Sequence, residues 1–204
     1  MTRHDLEFHF KGRRDYVQGP DMLNEVGKTI RACMEGSLTG LDFAVHRMTH
    51  HNLALELAEG EAAPQAVDAV ATLGFEVRGV RWNGRLVERA EMPVERIAYD
   101  EARVLQVCSL DAQARIIELK TAAPFSPIET IVSMNKALHV AVFPGTTQPW
   151  VFCRWRGPSW PLPEDLAGCR VQIRQAIGTR FTRSSVSLGE TVIGQIDFSL
   201  RSPT

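Results

Sequence analysis

The chain opens with alternation: apolar Leu6, Phe8 and Phe10 are separated by polar Glu7 and His9, the two-residue period of a strand with one face buried. The period then changes. Met22, Leu23, Val26, Ile30, Cys33 and Met34 recur at helical spacing with Asn24, Glu25, Lys28, Arg31 and Glu35 between them, which predicts a helix from Asp21 to Met34 with one buried stripe. Gly36 and Gly40 punctuate its end. Extended runs follow in "LDFAVHRM", "NLALELAEG" and "AVATLGFEVRGV", the last leading through Asn83-Gly84 into "RLVERA". Asn-Gly between two alternating runs predicts a hairpin turn there.

The second half repeats the order. "ARIIELKTA" is extended, and Ser126-Pro127-Ile128-Glu129 supplies a capping box with proline at the first helical position. The helix it starts runs through Ile131, Val132, Leu138, Ala141 and Val142 to a stop near Pro144-Gly145. Strands are predicted in "PWVFCRWRG", "CRVQIRQAIGTRFTRSSVSL" and "TVIGQIDFSL", with a turn at Gly189. Asp21 to Ser126 and Gly84 to Gly189 are both 105 positions apart, and Gly74 to Gly178 is 104, a shared offset that points to two structural repeats.

Composition narrows the class without choosing a reaction. The chain has 204 residues and 44% apolar side chains, enough for an ordinary core. Its 23 basic and 24 acidic residues nearly cancel, so no overall field gathers a polyanion or an anionic membrane, and nucleic acid is not an expected partner. Cys33, Cys108, Cys153 and Cys169 lie far apart with no C-x-x-C pair, which predicts buried, reduced thiols. The first residues hold no secretory signal, and no run approaches the ~20 apolar residues of a membrane span. A soluble, cytoplasmic protein that is not membrane-bound is the expectation.

A strand, one long amphipathic helix and several antiparallel strands, twice over, resemble the hot-dog fold in a tandem double form that acts as its own dimer. The resemblance implies an α+β class, with a first unit at 1–95, a second at 103–204 and a linker at 96–102, or one fused domain. Residue by residue it rests on "HFKGRRDYVQGPDMLNE". This stretch is similar to the dehydratase motif H-F-P-G-x-P-x-x-P-G-x-x-x-x-E, matching at His9, Phe10, Gly12, Gly19 and Glu25. Lys11 and Gln18 replace prolines, one residue is inserted before Gly19, and another separates Gly19 from Glu25. The stretch also resembles the D-x-x-x-G of hot-dog acyl-CoA thioesterases, at Asp15 and Gly19, with Pro20-Asp21-Met22-Leu23 in place of H-V-N-N. The A-factor synthase type of double hot dog, with an acid on its first helix, is a third relative, and the branch stays open.

What the resemblance implies is an acyl thioester, on coenzyme A or acyl carrier protein, hydrolysed or dehydrated in fatty acid or polyketide metabolism. Asp15, or His9 with Glu25, is then the acid-base group, and Gln18, Gly19 and Asn24 are the substrate contacts. No metal or redox cofactor is implied, and self-association is left open. The physical rationale is common to all branches: the unpaired amides and partial positive charge of a helix start can stabilise negative charge developing on a thioester carbonyl. A non-catalytic double hot dog that binds an acyl ligand or supports assembly is the alternative.

Each of these residues also has an ordinary reading. Aspartate before a helix serves turns, so Asp15 fits a turn and Asp21 the helix dipole. Alternation puts His9 on the exposed strand face, and Glu25 falls on the polar side of its helix. His46, His50 and His51 have no acid at ligand spacing, which argues against metal. His139 lies in mid-helix. Trp150, Trp155 and Trp160 alternate with arginines and prolines, as a core strand and rigid loop or as a stacking surface. Arg154, Arg156, Arg170, Arg174, Arg180 and Arg183 make the second half the more basic, suited to coenzyme A phosphates or an acidic carrier.

Overall fold

The computed structural model describes residues 1–60, 67–178 and 180–201. The chain divides into two compact units, Met1–Asp100 with Arg156–Pro161, and Glu101–Trp155 with Leu162–Thr204.

In the first unit β1 (Thr2–Leu6) and the short β2 (Phe10–Lys11) precede α1 (Gly19–Cys33). β3 (Leu38–Val45), β4 (Leu53–Glu59), β5 (Ala71–Val77), β6 (Val80–Glu88) and the two-residue β7 (Arg96–Ile97) follow. The sheet runs β1-β4-β6-β5-β3, antiparallel at every step, while β2 and β7 pair in parallel. The predicted alternation of burial holds, with Leu6, Phe8 and Phe10 buried and His9 exposed, but the single strand predicted there is broken, since residues 7–9 lie between β1 and β2. α1 starts before the predicted Asp21, because Pro20, with its φ fixed and no N–H to lose, suits the first helical turn. Met22, Leu23, Val26 and Ile30 are buried on its inner face, and Phe43, Leu53, Leu55, Phe75 and Leu86 are buried from the sheet.

Gly27 interrupts that stripe at a cost of about 1 kcal/mol relative to alanine. Its reason is contact: a Cβ there would lie 2.0 Å from Nε1 of Trp160. The indole therefore lies directly on the helix backbone. Trp150, Trp155 and Trp160 are 7%, 0% and 7% exposed, so all three are core side chains rather than a stacking surface.

The β5–β6 hairpin turns at Arg78-Gly79 and not at the predicted Asn83-Gly84. Val77 pairs with Val80, and both turn residues have positive φ, 52° and 75°, as a two-residue type I′ turn requires. Asn83 and Gly84 lie inside β6, where a Cβ on Gly84 would come within 2.7 Å of Leu57 and Leu73. That glycine serves packing. The shared offset of 105 residues loses this landmark, and the helix N-caps are Gln18 and Ser126.

The second unit contains α2 (Ala102–Leu105), β8 (Cys108–Asp111), β9 (Ile116–Leu119), α3 (Pro127–Val142), the first part of β10 (Trp150–Trp160), whose residues from Arg156 on belong to the first unit, β11 (Cys169–Ile177), β12 (Phe181–Leu188) and β13 (Thr191–Leu200). Its strand order is β8-β9-β11-β12-β13-β10. α3 carries the predicted capping box, with the Glu129 amide on Ser126 Oγ at 3.5 Å and the Ser126 amide on Glu129 Oε2 at 3.2 Å. The turn predicted at Gly189 is present between Leu188 and Thr191. Ile128, Ile131, Met134 and Leu138 are buried on α3, with Leu119, Val171, Val186, Ile196 and Phe198 from the sheet.

The two units share an order of elements but not of strands. In each, a strand that precedes the helix pairs with the second strand after it, β1 with β4 and β9 with β11. The last two strands then exchange places. β11, β12 and β13 form a meander, whereas β6 lies between β4 and β5, which makes the β4–β5 connection a crossover. No helix among the described residues is long and apolar enough to cross a membrane. None of the four cysteines forms a disulfide, and Cys33, expected to be buried, is exposed because it ends α1. Burial pushes the Cys108 thiol up to about 11 and Cys169 to about 12.

Candidate functional site

The loop before α1 has little regular structure of its own and is held by other segments. The Phe10 amide donates to Glu95 O at 3.0 Å and the Gly12 amide to Ile97 O at 2.9 Å. Gly12 needs to be glycine, since its φ is +56° and a Cβ would sit 3.2 Å from the Tyr99 carbonyl. Arg96 Nη1 donates to two carbonyls of the loop, Gly12 O at 2.8 Å and Arg14 O at 2.6 Å. His50 Nδ1 is bonded to Asp15 O, and the Val17 amide donates to Thr49 O at 2.9 Å. Lys11 Nζ and the Arg14 guanidinium lie 5.3 and 5.6 Å from the Tyr99 ring centre.

This loop delivers Gln18 as the N-cap of α1, with extended backbone (φ −82°, ψ 143°). Its carbonyl accepts the Asp21 amide at 3.0 Å and the Met22 amide at 3.1 Å. Its side chain, unlike the serine, threonine or aspartate usual at such a place, makes no capping bond. Gln18 is 8% exposed, and its Nε2 has no acceptor among the described residues. Pro20 has no N–H. The positive end of α1 therefore begins at the Gly19 amide, and the residue before it carries a buried side-chain donor with no acceptor among the described residues. A buried donor without an acceptor costs about 1–3 kcal/mol, a cost that an incoming oxygen would relieve. The first turn also carries Asp21, ion-paired with Lys11, the two side chains being 11% and 12% exposed.

Of the residues expected to act, Gln18 and Gly19 stand together at the helix start. Asp15 lies three residues earlier with its side chain exposed and its carbonyl fixed by His50. His9 is exposed and pairs with Glu95 at 3.5 Å, and Glu25 pairs with Lys28 at 2.6 Å one turn further along α1. Asn24 is half-buried on the same helix. No hydrogen bond or ion pair joins His9, Asp15 and Glu25 to one another among the described residues. Of the histidine run, His46 bonds Thr72 Oγ1 at 2.8 Å and His50 supports the loop. Among the described residues no group of three or more His, Cys, Asp and Glu side chains is placed to hold a metal ion.

A second polar cluster, missed in the sequence apart from His139, is buried in the other unit. His139 is fully buried and donates from Nδ1 to the Asn135 carbonyl at 2.6 Å. Its Nε2 accepts from Thr182 Oγ1 at 2.5 Å, which fixes a neutral tautomer. Its ring lies 4.6 Å from that of Trp150 and 5.1 Å from that of Phe198. Burial lowers its pKa to about 4. Asn135 accepts from Ser184 Oγ at 2.8 Å, and its Nδ2 has no acceptor among the described residues. The available signal was Thr182 and Ser184 at alternate positions with Val186, polar residues on the inward face of a strand. The arginines of this unit are partly occupied: Arg170 pairs with Glu118 at 3.0 Å, and Arg183 with buried Asp197 at 3.1 Å.

No protein-family model matches the chain, and no curated protein matches it in sequence. Solved structures do align with it over almost its full length. A TesB protein of Mycobacterium avium subsp. paratuberculosis superposes with a TM-score of 0.54 at 8% identity, over 98% of this chain and 93% of that one. A candidate thioesterase II from Thermobifida fusca superposes with a TM-score of 0.52 at 12% identity, over 99% and 94%. At such identities the likeness is one of fold, and the fold is the double hot dog.

Proposed function

We propose that this double hot-dog chain binds an acyl thioester, carried on coenzyme A or acyl carrier protein, at the start of α1 and hydrolyses it. One observation carries the reading: the buried Gln18 Nε2 without an acceptor, next to the Gly19 amide at the positive end of a 15-residue helix. Two N–H donors beside a helix dipole suit a carbonyl oxygen, and they suit it better as negative charge develops on it. Asp15 is the base in this reading. Its exposed carboxylate takes a proton from water, the hydroxide attacks the thioester carbon, and the carbonyl oxygen becomes an oxyanion held by Gln18 and Gly19. Collapse expels the thiolate, which takes up a proton and leaves as the free thiol beside the carboxylic acid. The fold neighbours, a TesB protein and a candidate thioesterase II, support this chemistry at the level of fold.

Dehydration requires His9 and Glu25 to act on one substrate. Their separate contacts, with Glu95 and with Lys28, favour hydrolysis instead. The same surface roles favour a second reading, acyl-thioester binding without turnover. Incubating the protein with acyl-CoAs of graded chain length and following free thiol separates the two. Hydrolysis abolished by Asp15→Asn supports the proposal, and turnover retained in that variant removes Asp15 from it. Binding with no thiol release leaves the non-catalytic reading, and enoyl-CoA hydration lost in both His9→Ala and Glu25→Gln selects the dehydratase.

A further inference from the structure

The donors at Gln18 and Gly19 are only as well placed as the loop that leads to them, and residues 12–17 form neither helix nor strand beyond the end of β2. The loop turns at Gly12 in the left-handed region, and its carbonyls at Gly12, Arg14 and Asp15 are taken in turn by side chains from two other segments. Arg96, on β7, gives one guanidinium nitrogen to two of them, and its Cζ lies 5.3 Å from the centre of the Phe10 ring. His50 takes the third, and Thr49, its neighbour, accepts the Val17 amide. The chain next reaches Gln18 directly.

We infer that Arg96 and His50 are positioning residues for the helix-start donors: they hold the loop carbonyls so that the Gln18 amide and Gly19 N–H keep one orientation. The inference rests on the proposed site at α1 for its functional meaning, but the clamp itself is a property of the loop. Three features separate it from ordinary surface bonding. A single cationic nitrogen spans two carbonyls two residues apart, a charge-assisted contact stronger than a neutral hydrogen bond. The contacts converge on one six-residue segment from sites 35 and 84 positions away in sequence. Arg96 and His50 are themselves exposed, so truncating either opens no core cavity.

Amide hydrogen exchange followed by mass spectrometry on the full chain tests this. In Arg96→Ala and in His50→Ala, amides of residues 13–19 exchange about tenfold faster or more, while residues 26–33, later on α1, are unchanged. Arg96→Lys and His50→Asn, which keep a donor at nearly the same place, recover most of the protection. Wild-type exchange at 13–19 in both alanine variants overturns the inference, as does uniform acceleration throughout residues 1–100, which reports general destabilisation. With octanoyl-CoA as probe, Arg96→Ala lowers kcat about tenfold with a smaller change in KM, because the donors act on the transition state. If the wild type neither binds nor cleaves any acyl-CoA, the proposed function fails while the exchange result still decides the clamp. If the wild type cleaves it and the alanine variants match its kcat, the clamp fails and the function stands.

Discussion

At the start of α3, Ser126 and Glu129 satisfy each other's backbone amides, whereas at the start of α1 the buried Gln18 side chain makes no capping bond and its Nε2 has no acceptor among the described residues. Nine residues into each helix the contrast reverses: Asn135 of α3 is tied to Ser184 in a polar core, and Gly27 of α1 offers bare backbone to the Trp160 indole. Each helix is thus complete at one level and open at another. α3 is closed at its end and spends polar groups in its middle; α1 is closed by apolar packing in its middle and keeps polar groups unused at its end. Stability does not explain the α1 arrangement, because a serine or aspartate N-cap gains about 1 kcal/mol that glutamine forgoes here. Asn135 Nδ2 of α3 also lacks an acceptor among the described residues, but it sits in mid-helix inside a polar layer that already holds Ser184, whereas the unused donor of α1 stands at the helix start, where we propose the site.

Gln18→Ala is the strongest way to break that contrast. Under hydrolysis it lowers kcat about 10²-fold or more, as loss of one oxyanion donor does, and leaves the melting temperature within a degree or two of wild type. An equal fall in stability and rate in this variant would make Gln18 structural and α1 no different from α3.

The polar layer of α3 has a pH signature. The His139 pKa is about 4 when folded and 6.5 when free, so its contribution is complete above pH 6.5. As pH falls from 6.5 towards 4 the unfolded chain takes up a proton that the folded one refuses, and about 3 kcal/mol of stability is lost. Urea unfolding at pH 7 and pH 4.5 should show this loss in wild type and a smaller loss in His139→Leu; parallel slopes in the two proteins would contradict the buried neutral imidazole.

Gly27→Ala tests the middle of α1. The added methyl meets Trp160, and overpacking of about 1–3 kcal/mol outweighs the helix propensity gained by removing glycine, about 1 kcal/mol. The double variant Gly27→Ala with Trp160→Leu should recover part of the loss in thermal melts. Smallest is Ser126→Ala, which removes the α3 cap and costs about 1 kcal/mol with turnover per folded molecule unchanged. A loss of turnover there would place the second helix start in the chemistry too.

Much of the fold could be read from local pattern. The capping box and proline located the start of α3 to the residue, since the interactions that form it lie within four positions of one another. The Gly189 turn was legible for the same reason. Asn83-Gly84 misled because a dipeptide that favours turns also fits a strand where the neighbouring strands leave no room for a side chain, as Leu57 and Leu73 do at Gly84. Arg78-Gly79 became the turn because the register Val77–Val80 demands it. At the candidate site, spacing drew attention to "HFKGRRDYVQGPDMLNE" and to Gln18 and Gly19 at its helix start, but it could not tell that the Gln18 side chain is buried while Asp15 is exposed and His9 and Glu25 have separate partners.

What the sequence by itself determined are the features set by neighbours along the chain: two amphipathic helices, a sheet-forming pattern around each, and a glycine-bearing stretch at the first helix start. What only the tertiary structure decided are the features set by distant partners. The exchange of β5 and β6 relative to their counterparts, the clamp of Arg96 and His50 on the loop, and Thr182 and Ser184 beneath α3 all join residues tens of positions apart. Gln18 belongs to both. Its place before the helix is written locally, but that its amide is buried and unused follows from how everything around it packs, and no periodicity carries that information.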